Sequence, residues 1–303
     1  MLLACWVSGV ALAAGTLRHG NFSGRVVIVG ARRLYLECRG QGRPTVLLEA
    51  GSSESARLWL AHYRGRPAVM PAVARFTRVC VYDRPGTFWT GGLGQPKSVS
   101  RSDPVAMPRT ARDMVLDLHA LLHAARSRRA AALRGPYVFA GFSFGGMILR
   151  LYATTYPREV AGLVWIDAQT EWYGEAETRL IPPEQLHDPL PPGFENYSHH
   201  ERLDLAASSA QLRQAQADTP LRRRPTVVLS HSPTAPNPFG FPPGFPPAMA
   251  LNQAFNAAQD KLAALVPGTR RVIARRSGHH IGLDQPNLVI AAIRSVVAQA
   301  LNH

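Results

Sequence analysis

Residues 137–153 read YVFAGFSFGGMILRLYA. The apolar run from Tyr137 to Ala140 has no polar break, as a strand buried on both faces does, and Met147 to Ala153 reads as a helix. Ser143 falls between them inside Gly141-Phe142-Ser143-Phe144-Gly145. At average residue frequencies a Gly-x-Ser-x-Gly pattern arises by chance ~0.1 times in about 300 residues, so its context decides. A serine on a sharp strand-to-helix turn crowds the positions two before and two after it. Glycine at both removes the clash. Gly146 would let the helix approach the sheet, and the helix start would point its free N–H groups at charge developing beside Ser143.

Working outward, strand-like runs occur at Arg25 to Val29, Arg33 to Cys38, Thr45 to Glu49, Arg78 to Tyr82, Tyr137 to Ala140, Gly162 to Ile166, Thr226 to Ser230 and Arg271 to Ala274. They alternate with helical patterns, which predicts an α/β fold: a mostly parallel eight-stranded sheet flanked by helices. From Thr110 to Ala124, Met114, Val115, Leu118, Leu121 and Leu122 share one helical face, with Thr110 as its cap. Asp284, read as a cap, and Pro286 announce a last helix through Val289, Ile290, Ile293 and Val297. Residues 171–222 are polar, proline-punctuated and helix-prone, and read as a helical cap inserted between core segments 21–170 and 223–303. Pro233 to Pro247 holds too many prolines for a helix or central strand and reads as a stiff loop. Its phenylalanines 239, 241 and 245 either line an apolar entrance or pin the loop to the body.

Apolar residues make up 46% and charged residues 18% of the 303, a globular balance that excludes a disordered chain. The formal charge of +14 rests on arginines spread along the chain, with only Lys97 and Lys261 as lysines. A scattered excess reads as solvated surface, and no nucleic-acid partner is expected. The stretch MLLACWVSGVALAAGTL is uncharged to Leu17 and short for a membrane span. Residues 1–20 thus read as a secretory signal, with Ala11-Leu12-Ala13 as cleavage site, or as an uncleaved N-terminal anchor giving membrane association. A secreted or cell-envelope location follows, or a cytoplasmic one if the segment is not a working signal. The cysteines are Cys5, Cys38 and Cys80. No Cys-x-x-Cys occurs and His199-His200 are adjacent rather than one turn apart, so no metal site is expected.

The runs VLLEAG, FTRVCVYDRPG, PRTARDMVLDLHALL, GFSFGGMILRLYATTYP, VAGLVWIDA and SGHHIGLDQPNLVIAAI, in this order, resemble the α/β-hydrolase superfamily and in particular its serine esterase-like members. Phe142 stands where many relatives have His or Trp before the nucleophile. The resemblance makes Ser143 the nucleophile on its elbow and places the base after the last strand, at His279 in preference to its neighbour His280. Many relatives carry the acid just after the strand at Thr226 to Ser230, yet no Asp or Glu occurs from Thr219 through Gln259. Other members use the end of the preceding strand, which nominates Asp167, with Glu171 second. Oxyanion donors are expected at the backbone N–H of Phe144 and of Ser52, with Ser53 as the alternative. The strands ending at Cys38 and containing Cys80 are neighbours in the superfamily, which suggests a disulfide between them.

The expected protein is a cofactor-free serine hydrolase that cleaves a small, apolar carboxylic ester through an acyl-enzyme, with Trp172, Tyr173 and the loop phenylalanines shaping the acyl pocket. The same triad could cleave amides, lactones, thioesters or carbon-carbon bonds, and a non-catalytic binding protein on this fold is the alternative from another class.

Overall fold

The apolar run at 137 closes the middle of a single eight-stranded sheet. A computed structural model describes residues 18–19, 24–89, 98–127, 133–182, 194, 196–235, 237–240 and 248–302. The strands are β1 (Arg25–Val29), β2 (Arg32–Arg39), β3 (Val46–Glu49), β4 (Val79–Tyr82), β5 (Tyr137–Phe142), β6 (Val160–Ile166), β7 (Thr226–His231) and β8 (Arg270–Ala274). Their spatial order is β8-β7-β6-β5-β3-β4-β2-β1. From β8 through β4 every pairing is parallel, while β1 and β2 add an antiparallel edge. The central strands β3, β4 and β5 are buried along their whole length, as strands covered on both faces must be.

The pleat divides those strands between two cores. Val46 and Leu48 pack with α1 (Val69–Val73) and with the apolar face of α8 (Pro286–Ala300). Leu47 between them packs with α2 (Ala111–Ser127) and α3 (Phe144–Thr155) on the other side. The α2 start carries a reciprocal cap: the Asp113 N–H donates to Thr110 Oγ1 at 3.3 Å and the Thr110 N–H to Asp113 Oδ2 at 2.8 Å. The other expected cap is corrected. Gln285 is the N-cap of α8, while Asp284 accepts the Ser277 hydroxyl at 3.3 Å and faces Arg66 at 3.6 Å.

Between β6 and β7 lie α4 (Glu171–Leu180) and α5 (Leu205–Asp218). Between β7 and β8 lies α6 (Ala248–Ala264), which the sequence reading leaves undescribed, and α7 (Ile281–Asp284) follows β8. Cys38 and Cys80 are register partners across β2 and β4, with Cα atoms 4.1 Å apart and their sulfurs joined. Cys5, Phe241, Phe245 and the apolar start through Leu17 lie outside the described residues. Among the described residues no helix is long and apolar enough to cross a membrane.

Candidate active site

Ser143 sits at φ +52° and ψ −125°, between the last residue of β5 and the first of α3. The turn is held by the Ser143 N–H on Ile166 O at 3.1 Å, and by Gly146 and Gln169 N–H groups on Ser143 O, each at 2.9 Å. A Cβ at Gly141 would lie 2.7 Å from Gly145 O, and one at Gly145 would lie 2.5 Å from Ala50 O. Backbone atoms cannot yield to that contact, so the two glycines are what lets the turn close. Phe144 begins α3, and its N–H has no acceptor within the helix.

β6, one of the two strands paired with β5, delivers a carboxylate. Asp167 follows β6 at φ +47°, a conformation Asp tolerates better than most residues, and its N–H is tied to Leu229 O at 2.7 Å. His279, after β8, is anchored by its N–H on Pro238 O at 2.8 Å. Its Nε2 lies 3.0 Å from Ser143 Oγ and its Nδ1 lies 2.6 Å from Asp167 Oδ2. The three groups form one line from hydroxyl to imidazole to carboxylate.

The alternatives go elsewhere. His280 Nε2 faces Glu54 Oε1 at 3.1 Å. Glu171 is gripped by Arg150 through two bonds of 2.6 and 2.8 Å, both side chains buried. Phe142, the residue before the serine, lies against both histidine rings, at 4.7 Å from His279 and 5.1 Å from His280. Phe239 completes an apolar wall 5.1 Å from the His279 ring. It also packs on Tyr173 at 5.7 Å and Phe255 at 5.1 Å, which pins the proline-rich loop to the body. Trp172 lies beneath the cations of Arg150 and Lys261, at 5.0 and 5.8 Å.

A second histidine, which the sequence reading passes over, shares the acid. His231 closes β7 and is fully buried. Its backbone N–H donates to Asp167 Oδ1 at 2.8 Å, and its Nδ1 lies 2.7 Å from Oδ2, the oxygen that His279 also uses. Its Nε2 lies 2.8 Å from Asn252 Oδ1. Protons along this chain can be assigned from Arg271, which can only donate. Arg271 Nη2 donates to Asn256 Oδ1 at 2.6 Å, so Asn256 Nδ2 donates to Asn252 Oδ1 at 2.8 Å. Asn252 Nδ2 in turn donates to the Pro233 and Ala235 carbonyls at 3.1 and 2.8 Å. With Asn252 Oδ1 an acceptor and Asp167 a carboxylate, both ring nitrogens of His231 must carry protons. The ring is an imidazolium.

Electrostatics agree with that assignment. Burial pushes the His231 ring down, but the charge and hydrogen bond of Asp167, with Asn252, outweigh it and raise it above the usual histidine value. Burial pushes Asp167 up, but His231 and then His279 bring the carboxyl down to about 2. His279 is held below the usual value, first by burial and further by His280 and His231, against the pull of Asp167. It is therefore neutral, and able to accept a proton, at neutral pH. The signal for His231 was the empty acid position itself: the strand end where relatives carry a carboxylate holds a histidine here.

The loop after β3 faces the start of α3 across Gly145. Beneath it Arg84 is buried between two carboxylates, with Nη1 on Glu49 at 2.5 Å and Nε on Glu201 at 2.7 Å. The same guanidinium donates to Ala50 O at 2.9 Å and Gly51 O at 2.5 Å. Glu201 Oε2 accepts the Ser53 N–H at 2.7 Å. Of the two nominated loop donors, Ser53 is thus committed to Glu201.

A model of the alpha/beta hydrolase family matches residues 46–293, which takes in the serine turn, Asp167, His231 and His279. The chain belongs to the alpha/beta hydrolase family. Among its relatives is an uncharacterized protein of Schizosaccharomyces pombe, 29% identical over 157 residues. That match takes in 45% of this chain and 26% of the yeast protein, so the chain spans about a quarter of that relative's length. Among solved structures, this hydrolase chain superposes on a thermophilic esterase from Thermogutta terrifontis at TM-score 0.55 and 19% identity, covering 91% of this chain and 98% of that one. It superposes on the carboxylesterase CesB of Bacillus subtilis at TM-score 0.54 and 15% identity, covering 91% and 92%. At such identities the likeness is one of fold.

Proposed function

We propose that this family member is a serine hydrolase acting on a carboxylic ester through an acyl-enzyme. The observation that carries the reading is the continuous line from Ser143 Oγ to His279 Nε2 and from His279 Nδ1 to Asp167 Oδ2, at 3.0 and 2.6 Å. Ser143 Oγ gives its proton to His279 Nε2 as it attacks the ester carbonyl. The resulting oxyanion takes hydrogen bonds from the Phe144 and Ser52 N–H groups. His279 then protonates the leaving alkoxide, and the same cycle with water releases the acid. Asp167 holds the Nδ1–H tautomer throughout. Phe142 and Phe239, tilted against the reacting imidazole, support an apolar substrate.

In this scheme His231 is a positioning residue that keeps Asp167 ionised and aimed. Its fixed charge also opposes the transient charge on His279, so the base stays neutral to lower pH than it otherwise would.

The test is labelling with a fluorophosphonate probe. Wild-type protein should label stoichiometrically and Ser143→Ala not at all, and a p-nitrophenyl ester series of rising acyl length should then give a rate maximum that sizes the pocket. Absence of labelling in folded wild-type protein would defeat the proposal.

A further inference from the structure

On α2, His119-Ala120-Leu121-Leu122-His123 sets two imidazoles one helical turn apart, on one face. The expectation of no metal site considered His199-His200 and overlooked this pair. Glu159 reaches them from the short turn Pro157–Glu159 that follows α3. Its Oε1 lies 2.9 Å from His123 Nε2 and 3.5 Å from His119 Nε2, and the three ligand atoms lie within 4.8 Å of one another. We propose that His119, His123 and Glu159 bind a divalent transition cation of the zinc type, clamping α2 to the turn after α3.

Around a tetrahedral zinc ion, bonds of about 2.0–2.1 Å place the ligand atoms roughly 3.3 Å apart. The separations from Glu159 Oε1 already bracket that spacing. Two imidazoles and a carboxylate suit zinc, cobalt or nickel, whereas calcium and magnesium want oxygen ligands. The groups behind the ligands are also in place. Tyr152 OH donates to Glu159 Oε2 at 2.5 Å, which leaves Oε1 free to turn toward the imidazoles. The His119 ring lies flat on Tyr156, centroids 3.8 Å apart and planes 7° apart, so its orientation is set.

The opposing force is positive charge. Arg126 Nη2 lies 3.8 Å from Glu159 Oε1, and Arg134 and Arg158 border the adjoining cleft. Arg126 has a second partner, Tyr137 OH at 3.1 Å from its Nε, to keep when a cation takes Glu159. Three protein ligands in this basic setting should bind the ion more weakly than a closed four-ligand site does.

The experiment uses the full chain stripped with a chelator, titrated with Zn²⁺ by calorimetry and with Co²⁺ by visible absorbance. One equivalent should bind with tetrahedral Co²⁺ bands, and saturating Zn²⁺ should raise Tm by a few degrees. His123→Ala, at an exposed ring, should weaken binding at least tenfold and remove the Zn²⁺-induced Tm shift while leaving ester turnover unchanged. Glu159→Gln should weaken binding likewise. The absence of a stoichiometric step overturns the proposal. So does binding that survives in His123→Ala and is lost in His231→Gln, which would put the ion on the Asp167, His231 and His279 cluster. Because labelling of Ser143 does not enter these readouts, failure here is distinct from failure of the esterase reading.

Discussion

Replacing His231 with Gln gives the sharpest test of the charge assigned beside the acid. In the wild type, hydrolysis requires neutral His279, so kcat/KM should be flat above its pKa and fall as pH drops through it. With that pKa depressed, the fall comes below the usual histidine value near 6.5. The two Nδ1 atoms sit 2.7 and 2.6 Å from one carboxylate oxygen. That spacing puts the ring centres about 6 Å apart, where two unit charges at an effective dielectric of about 20 repel by about 3 kcal/mol, or roughly 2 pKa units. Water reaching the Ser143 side and the Asp167 carboxylate between the rings screen part of it, so that figure is an upper bound. In His231→Gln that repulsion is gone, and Asp167, no longer neutralised, acts in the same direction. The acid limb of kcat/KM should therefore move up, alongside a drop in kcat from the loosened carboxylate. A pH profile on a p-nitrophenyl ester reads the shift, and ¹⁵N NMR of the wild type should show both nitrogens of His231 protonated at pH 8. A folded variant that loses turnover with its acid limb unmoved, or moved down, refutes the imidazolium.

Other consequences can be checked separately. Asp167→Asn should lower kcat about 10³–10⁴-fold with the fold intact. Glu171→Gln should leave turnover near normal but strand the Arg150 guanidinium, at a cost of about 3–5 kcal/mol in urea unfolding; the reverse pattern would transfer the acid role to Glu171. Glu201→Gln removes one charge from the buried Arg84 cluster and loosens Ser53, so kcat should fall about 10–100-fold with KM less affected, and an unchanged kcat would show that the loop holds itself. Reducing the Cys38–Cys80 bond, whose residues are 42 apart in sequence, should lower stability by up to about 4 kcal/mol. Equal free-thiol counts with and without reductant in denatured protein would show that the bond is absent.

The fold was legible because its signals are local. All eight strands are short apolar runs, and the serine turn announces itself through glycines whose spacing is fixed by backbone contact. Asp167 at the end of β6 could be nominated from the resemblance together with the absence of carboxylates after β7. The charge on His231 could not be, because it depends on Asn252, Asn256 and Arg271, brought to it from α6 and β8. The helix α6 was hidden for a related reason. It turns Asn252, Asn256 and Gln259 inward beside Leu251 and Phe255, so the contrast between an apolar and a polar face that marks a helix in sequence is blurred. The disulfide follows from strand order and the resemblance, whereas the bonds of Arg84 join residues far apart along the chain, from Glu49 to Glu201.

Arg84 has a bearing on engineering and on evolution. The insertion between β6 and β7 carries Glu201, which pairs with Arg84 and completes the socket on which residues 50–53 rest. Swapping that insertion for one from another hydrolase, to alter what the enzyme accepts, would carry off half of the counter-charge and leave a guanidinium stranded in the interior. Grafts should succeed only when they import a carboxylate at the matching place, or when Arg84 is exchanged in the same step. Insertion and socket can change only together.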